Sequence, residues 1–104
     1  MNPQNPLVTV IITAYNTEKY VKQAIESVIG QTYQHLEIIV VDDGSTDQTG
    51  TIAQSFGDKI LYVRQENKGE SGARNTGVMR ATGEYISFLD ADDYYVPEKI
   101  EKEV

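Results

Sequence analysis

Leu7-Val8-Thr9-Val10-Ile11-Ile12 reads as a strand buried on both faces, because β-branched and apolar residues follow one another without the polar alternation of a half-exposed strand. The polar turn Thr13-Ala14-Tyr15-Asn16 ends it. Thr17 is expected to cap a helix whose Val21, Ala24, Ile25, Val28 and Ile29 recur at helical spacing, and Gly30 is expected to stop that helix as a left-handed C-terminal residue. The same unit then repeats. Leu36-Glu37-Ile38-Ile39-Val40-Val41 runs into Asp42-Asp43-Gly44, and Ser45 with Gln48 forms the pattern of a capping box for a second helix, with Thr49, Ile52, Ala53 and Phe56 on its inner side and Gly57 at its end.

A third strand is expected at Ile60-Leu61-Tyr62-Val63 and a third helix from Glu70 to Thr82. Gly72 and Gly77 lie inside that helix, where each glycine costs about 0.5–1 kcal/mol against alanine, so close packing or ligand approach is expected there. The fourth strand is Glu84 to Leu89, and Pro97 is placed at the first position of a last helix whose Ile100 and Val104 share a face. Strands alternating with helices predict an α/β fold, a mainly parallel twisted sheet with helices on both faces, in one domain. Ligands of such sheets bind outside the carboxyl ends of the strands, which gathers the four polar loops into one candidate site.

The chain is acidic, with a formal net charge of -7 over 104 residues, and this excludes the nonspecific attraction on which nucleic-acid and anionic-membrane binders rely. Any anionic ligand needs a cation or local backbone donors. There are no cysteines, hence neither a disulfide framework nor a thiolate metal site. The longest apolar runs, Val8 to Ile12 and Ile38 to Val41, fall far short of the roughly 18 residues of a membrane span. The polar start, Met1 to Pro6, lacks the features of a signal peptide, so a cytoplasmic location is the default expectation.

Asp90-Ala91-Asp92-Asp93 places three carboxylates within four residues at the end of the fourth strand. Such crowding is relieved most simply by a bound divalent cation. Lone His35, between the first helix and the second strand, is read as an ordinary surface residue.

Five ordered blocks, Pro6 to Asn16, Ser27 to Tyr33, Glu37 to Asp47, Gly72 to Gly77 and Gly83 to Asp93, resemble the successive motifs of family 2 glycosyltransferases with the GT-A fold. The resemblance implies inverting transfer of a sugar from a nucleoside diphosphate sugar, a UDP-sugar in the first instance, to a saccharide or lipid-linked acceptor hydroxyl. A divalent metal, Mn or Mg, would bridge donor and enzyme. It implies nucleotide contacts from Thr13, Ala14, Tyr15, Asn16 and Glu18, with Asp43 accepting the uracil N3–H and Asp42 the weaker candidate. Lys68, Gly69, Arg74 and Asn75 would serve the phosphates at a helix start, although Arg74 also reads as a surface ion pair and Asn16 as a loop-holding residue. Asp92 would coordinate the metal directly. Asp90 would be a second metal or ribose contact with Ala91 beside it, while Asp93 reads equally as a cap for the loop before Pro97.

The resemblance also implies a general base and acceptor pocket after the Asp-x-Asp motif. The chain is therefore expected to be the donor-binding part of a longer GT-A domain, inactive alone, with polysaccharide biosynthesis, peripheral membrane contact and homo-oligomer formation as associated expectations. Two other readings stay open. A sugar-phosphate nucleotidyltransferase also places a metal at a parallel sheet's edge, but no glycine-rich basic loop follows the first strand. A noncatalytic nucleotide-binding or dimerisation module is the third reading, and a dinucleotide-binding fold is disfavoured by the lack of G-x-G-x-x-G.

Overall fold

A computed structural model describes residues 5–104; Met1 to Gln4, part of the polar start, lie outside the described residues. Strands β1 (Val8–Ala14), β2 (Leu36–Asp42), β3 (Leu61–Arg64) and β4 (Tyr85–Asp90) alternate with helices α1 (Val21–Ile29), α2 (Thr49–Gln54), α3 (Gly69–Arg80) and α4 (Lys99–Glu103). All strand pairs are parallel, in the order β3-β2-β1-β4. The chain thus builds outward from β1 through β2 to β3, then crosses back by α3 to place β4 on the other side of β1. That reversal makes the β1–β4 boundary the switch point at which such sheets bind ligands.

Because β1 and β2 are central, their side chains are buried on both faces, as the unbroken apolar runs require. On one face Val8, Val10, Ile12, Ile38 and Val40 pack against the Val21, Ala24, Ile25 and Val28 stripe of α1 and Ala53 of α2. On the other, Ile11, Ile39 and Val41 pack against Ala73 of α3. Each fully buried valine or isoleucine contributes about 1.5–3 kcal/mol, so these two layers dominate stability. Gly77 brings α3 down onto the sheet: a Cβ there would lie 2.4 Å from Ile11 Cγ2. The expected close packing is therefore found at Gly77, while at Gly72 the neighbour is the Lys68 side chain, 2.6 Å from the corresponding position.

Several local expectations are corrected. Thr17 does not cap α1 with its hydroxyl; its carbonyl accepts the N–H groups of Tyr20 and Val21, and α1 begins at Val21. Gly30 has φ −84°, so it is not left-handed, and its small size matters instead because the Glu26 carbonyl lies 3.2 Å from where a Cβ would sit. The capping box does not form. Ser45 is drawn away, its N–H to Asp42 Oδ1 and its Oγ to the N–H of Asn16, and α2 starts only at Thr49, whose N–H is taken by Asp47. Pro97 precedes α4 rather than opening it, and Val104 is exposed beyond its end while Ile100 is buried.

Buried Gln31 ties this last segment to α1. Its Nε2 donates to the carbonyls of Ser27 and Val96, and its Oε1 accepts the N–H of Ile100. At the amino end of the sheet, Thr9 and Glu37 hold the turn before β4. Gly83 N–H donates to Thr9 Oγ1, Thr9 donates to Glu37 Oε1, and Thr82 donates to the same carboxylate from its N–H and its hydroxyl. His35 is exposed, with Nδ1 2.9 Å from the Asn5 carbonyl oxygen, as a surface residue should be.

Candidate functional site

The carboxyl ends of β1 and β4 and the start of α3 enclose a cleft of about 310 Å³. Thr13, Ala14, Tyr15 and Thr17 line it from the β1 end, Asp43 from the β2 end, Asn67, Gly69, Glu70 and Ala73 from α3 and its approach, and Asp90, Ala91 and Asp92 from the β4 end. Parallel register explains the meeting: Thr13 pairs with Asp90 across β1 and β4, and Ala14 with Asp42 across β1 and β2, so the polar loops leave the sheet at one level.

The adjacent aspartates divide their work by strand alternation. Asp42 is wholly buried, accepting from Ser45 N–H, the Tyr62 hydroxyl at 2.6 Å and Arg64 at 3.3 Å. Burial, then the hydrogen bond to Asp42, holds the Tyr62 phenol above its ordinary pKa. Asp43 faces the cleft yet is only 4% exposed. Its Oδ1 accepts from Gln65 Nε2 at 2.9 Å and Lys68 N–H at 2.8 Å, and its Oδ2 from Gly69 N–H at 3.0 Å. Gly69 has φ +80°, a left-handed turn that aims these successive N–H groups at the carboxylate. The backbone donors expected to receive phosphate are therefore engaged by Asp43.

The β4 end is open. Asp90 and Asp92 are exposed, with the Thr13 hydroxyl donating to Asp90 Oδ1 at 3.2 Å. Asp93 is not part of the cleft lining, and its Oδ1 accepts the N–H of the next residue, Tyr94. Glu70, expected from the sequence only as the start of the third helix, completes the acidic wall. Its carboxyl is pushed above the ordinary glutamate range by hydrogen bonding and then by charge from Asp90, against the opposing pull of Arg74. Glu70 is the second residue of α3, directly after a positive-φ glycine, and precedes Arg74 by four residues, a spacing that could have flagged it. Tyr15 offers a half-exposed ring to the cleft, and Thr17 Oγ1 is buried with no hydrogen-bond partner among the described residues.

The remaining candidates fall outside the cleft lining. Asn16, at φ 52°, accepts the N–H of Thr46, and Glu18 accepts that of Gln48, so both brace the β2–α2 loop. The Lys68 side chain lies on Gly72, Arg74 is paired with Glu70, and Asn75 is exposed farther along α3. Among the described residues no three carboxylate or imidazole groups are arranged to hold a metal. Asp90 and Asp92 nonetheless fit a hard cation as a two-carboxylate partial shell, since Mg²⁺ and Mn²⁺ commonly complete theirs with phosphate and water.

The sequence matches the family described as Glycosyl transferase family 2 over residues 9–104. The chain belongs to this family. It is 50% identical over 103 residues to an uncharacterized glycosyltransferase of Rickettsia typhi, covering 99% of this chain and 32% of that protein. It is 45% identical over 97 residues to glycosyltransferase GlyA of Streptococcus pneumoniae, covering 90% of this chain and 14% of that one. The chain thus spans about a third or less of these relatives. Residues 1–349 of S. aureus TarS in complex with UDP-GlcNAc match at TM-score 0.85 and 33% identity, over 92% of this chain and 29% of that one. The mannosyltransferase PcManGT of Pyrobaculum calidifontis, in complex with GDP-Man and Mn²⁺, matches at TM-score 0.81 and 31% identity, over 88% and 29%. The parallel α/β sheet of this family 2 chain is that of the GT-A glycosyltransferases.

Proposed function

We propose that the protein is the donor-binding face of an inverting glycosyltransferase that takes a sugar from a UDP-sugar, with Mn²⁺ or Mg²⁺, to an acceptor hydroxyl. The observation that carries this reading is the convergence of Thr13, Tyr15, Asp43, Asp90 and Asp92 on one cleft at the switch point of the sheet. The likeness to TarS bound to UDP-GlcNAc and to a mannosyltransferase bound to GDP-Man and Mn²⁺ supports a nucleotide-sugar donor.

In this reading the nucleoside lies against Tyr15. An ionised carboxylate has about four acceptor sites; Asp43 uses three on its protein donors and directs the remaining one at the base. Asp90, steadied by Thr13, contacts the ribose or the cation, and Asp92 holds the cation. When bound, the cation would stabilise negative charge on the departing diphosphate. A net charge of -7 makes such help necessary for a dianionic ligand. None of these carboxylates is assigned as the general base; the acceptor is proposed to be a saccharide or lipid-linked hydroxyl.

Titration calorimetry with UDP, with and without Mn²⁺, tests the reading. Binding that strengthens with the cation is expected, and absence of UDP binding under both conditions would refute it. Proton NMR of the transfer product reports whether the anomeric configuration inverts.

A further inference from the structure

Glu70 differs from the other carboxylates of the cleft in that it sits on α3, within the first turn. Four residues on, Arg74 places its Nη2 2.7 Å from Glu70 Oε2, and its guanidinium lies over the Phe88 ring, 5.8 Å from the centroid. Helical side chains lean toward the helix N-terminus, so Arg74 covers the turn nearest the cleft. Its charge is held at the mouth by a residue that itself lines the site. Both side chains are about half exposed, 45% and 51%, which makes the pair weak and easily exchanged. The contact is also single-pronged, whereas a diphosphate offers a guanidinium a two-pronged partner of higher charge.

We propose that Glu70 is a built-in stand-in for the donor's diphosphate: it holds Arg74 at the cleft while no nucleotide is bound and competes with the diphosphate for that cation. The proposal rests on the donor-site reading above and gives Glu70 a role in setting donor affinity. Nucleotide binding then exchanges one Arg74 partner for another, and Glu70 is released toward solvent.

The test is a double-mutant cycle on the full chain, read by calorimetric titration with UDP in Mn²⁺. Glu70→Gln is expected to tighten UDP binding about two- to fivefold, the range set by an exposed ion pair. Arg74→Gln is expected to weaken it, and the double variant to bind as Arg74→Gln alone does. Equal tightening by Glu70→Gln in both backgrounds would reduce its effect to a general charge term and overturn the proposal, as would no change or weaker binding. If the unsubstituted protein fails to bind UDP, the donor-site reading falls and this proposal falls with it. Binding by the unsubstituted protein with additive variants overturns the proposal alone.

Discussion

Gly69 donates its backbone N–H to Asp43 Oδ2 at 3.0 Å, so the end of β2 grips the first residue of α3. The neighbouring N–H of Lys68 reaches the other oxygen of the same carboxylate. One side chain therefore fixes the helix start and faces the cleft. Asp43→Asn keeps one acceptor oxygen but turns an amide N–H₂ toward donors, a change expected to cost about 1–3 kcal/mol of stability. UDP affinity should fall by about tenfold, the equivalent of 1.4 kcal/mol, measured by calorimetry beside a urea unfolding series. Lost stability with unaltered UDP affinity would leave Asp43 as a structural cap alone.

Tyr62→Phe probes the adjacent aspartate. It removes the hydroxyl that reaches Asp42 at 2.6 Å while Arg64 and Ser45 remain. The expected loss is about 1–2 kcal/mol in urea unfolding, with UDP affinity unchanged, because Asp42 is buried away from the cleft. A drop in UDP affinity comparable to that of Asp43→Asn would contradict the division of labour between the two residues.

Gly77→Ala tests how closely α3 must lie on β1. Alanine improves helix propensity by about 0.5–1 kcal/mol, but its Cβ would sit 2.4 Å from Ile11 Cγ2 in a fully buried layer. Overpacking of that kind costs about 1–3 kcal/mol, so the net effect is destabilising. A thermal melt that shows equal or higher stability would mean that the helix can rise from the sheet freely.

Much of this architecture is legible in the sequence because burial on both faces leaves a strong signature. The runs at Val8 to Ile12 and Ile38 to Val41 locate the two central strands within two residues of their bounds, and the α1 stripe is buried as its spacing demands. Termini were less legible, since caps depend on partners distant in the chain. Ser45 carries the local pattern of a capping residue, yet Asp42 and Asn16 engage it first. The same competition governs the site. Strand-end aspartates and Tyr15 follow from the sheet rule, and Asn16 reads as a loop-holding residue from its type, whereas its partner in the β2–α2 loop and that of Glu18 arise only when β1 and β2 are side by side. The spacing of Glu70 to Arg74 is visible in the sequence, but its place on the cleft beside Asp90 and Asp92 comes only from the tertiary fold.

Glu37 gives the fold a pH dependence. Burial pushes its carboxyl up, but hydrogen bonds from the Thr9 hydroxyl and from the N–H and hydroxyl of Thr82 outweigh that and hold it below the ordinary value. A carboxylate with a lowered folded pKa stabilises the native state fully above its unfolded pKa, about 4.3. The contribution is lost as pH falls through the lower folded value. Glu37→Gln should therefore be less stable than the parent at pH 7, with the difference shrinking below about pH 4, as urea midpoints across that range would show. A difference that grows on acidification would reverse the sign and refute the assignment.

Asp90 and Asp92 face one cleft but differ in surroundings, and that difference yields a separable outcome. Asp90 is steadied by Thr13 and sits beside Glu70, whereas among the described residues no hydroxyl donates to Asp92. Two carboxylates supply only part of a six-oxygen shell, so removing either is expected to be severe for cation binding. Asp92→Ala should abolish the gain in UDP affinity that Mn²⁺ provides while leaving cation-free UDP affinity within about twofold, a change of only 0.4 kcal/mol. Asp90→Ala should lower both, because the proposed reading also gives Asp90 a contact with the ribose. Mn²⁺ electron paramagnetic resonance, run with UDP titrations of both variants, separates the two roles: a full Mn²⁺ response in Asp92→Ala would remove Asp92 from the cation shell.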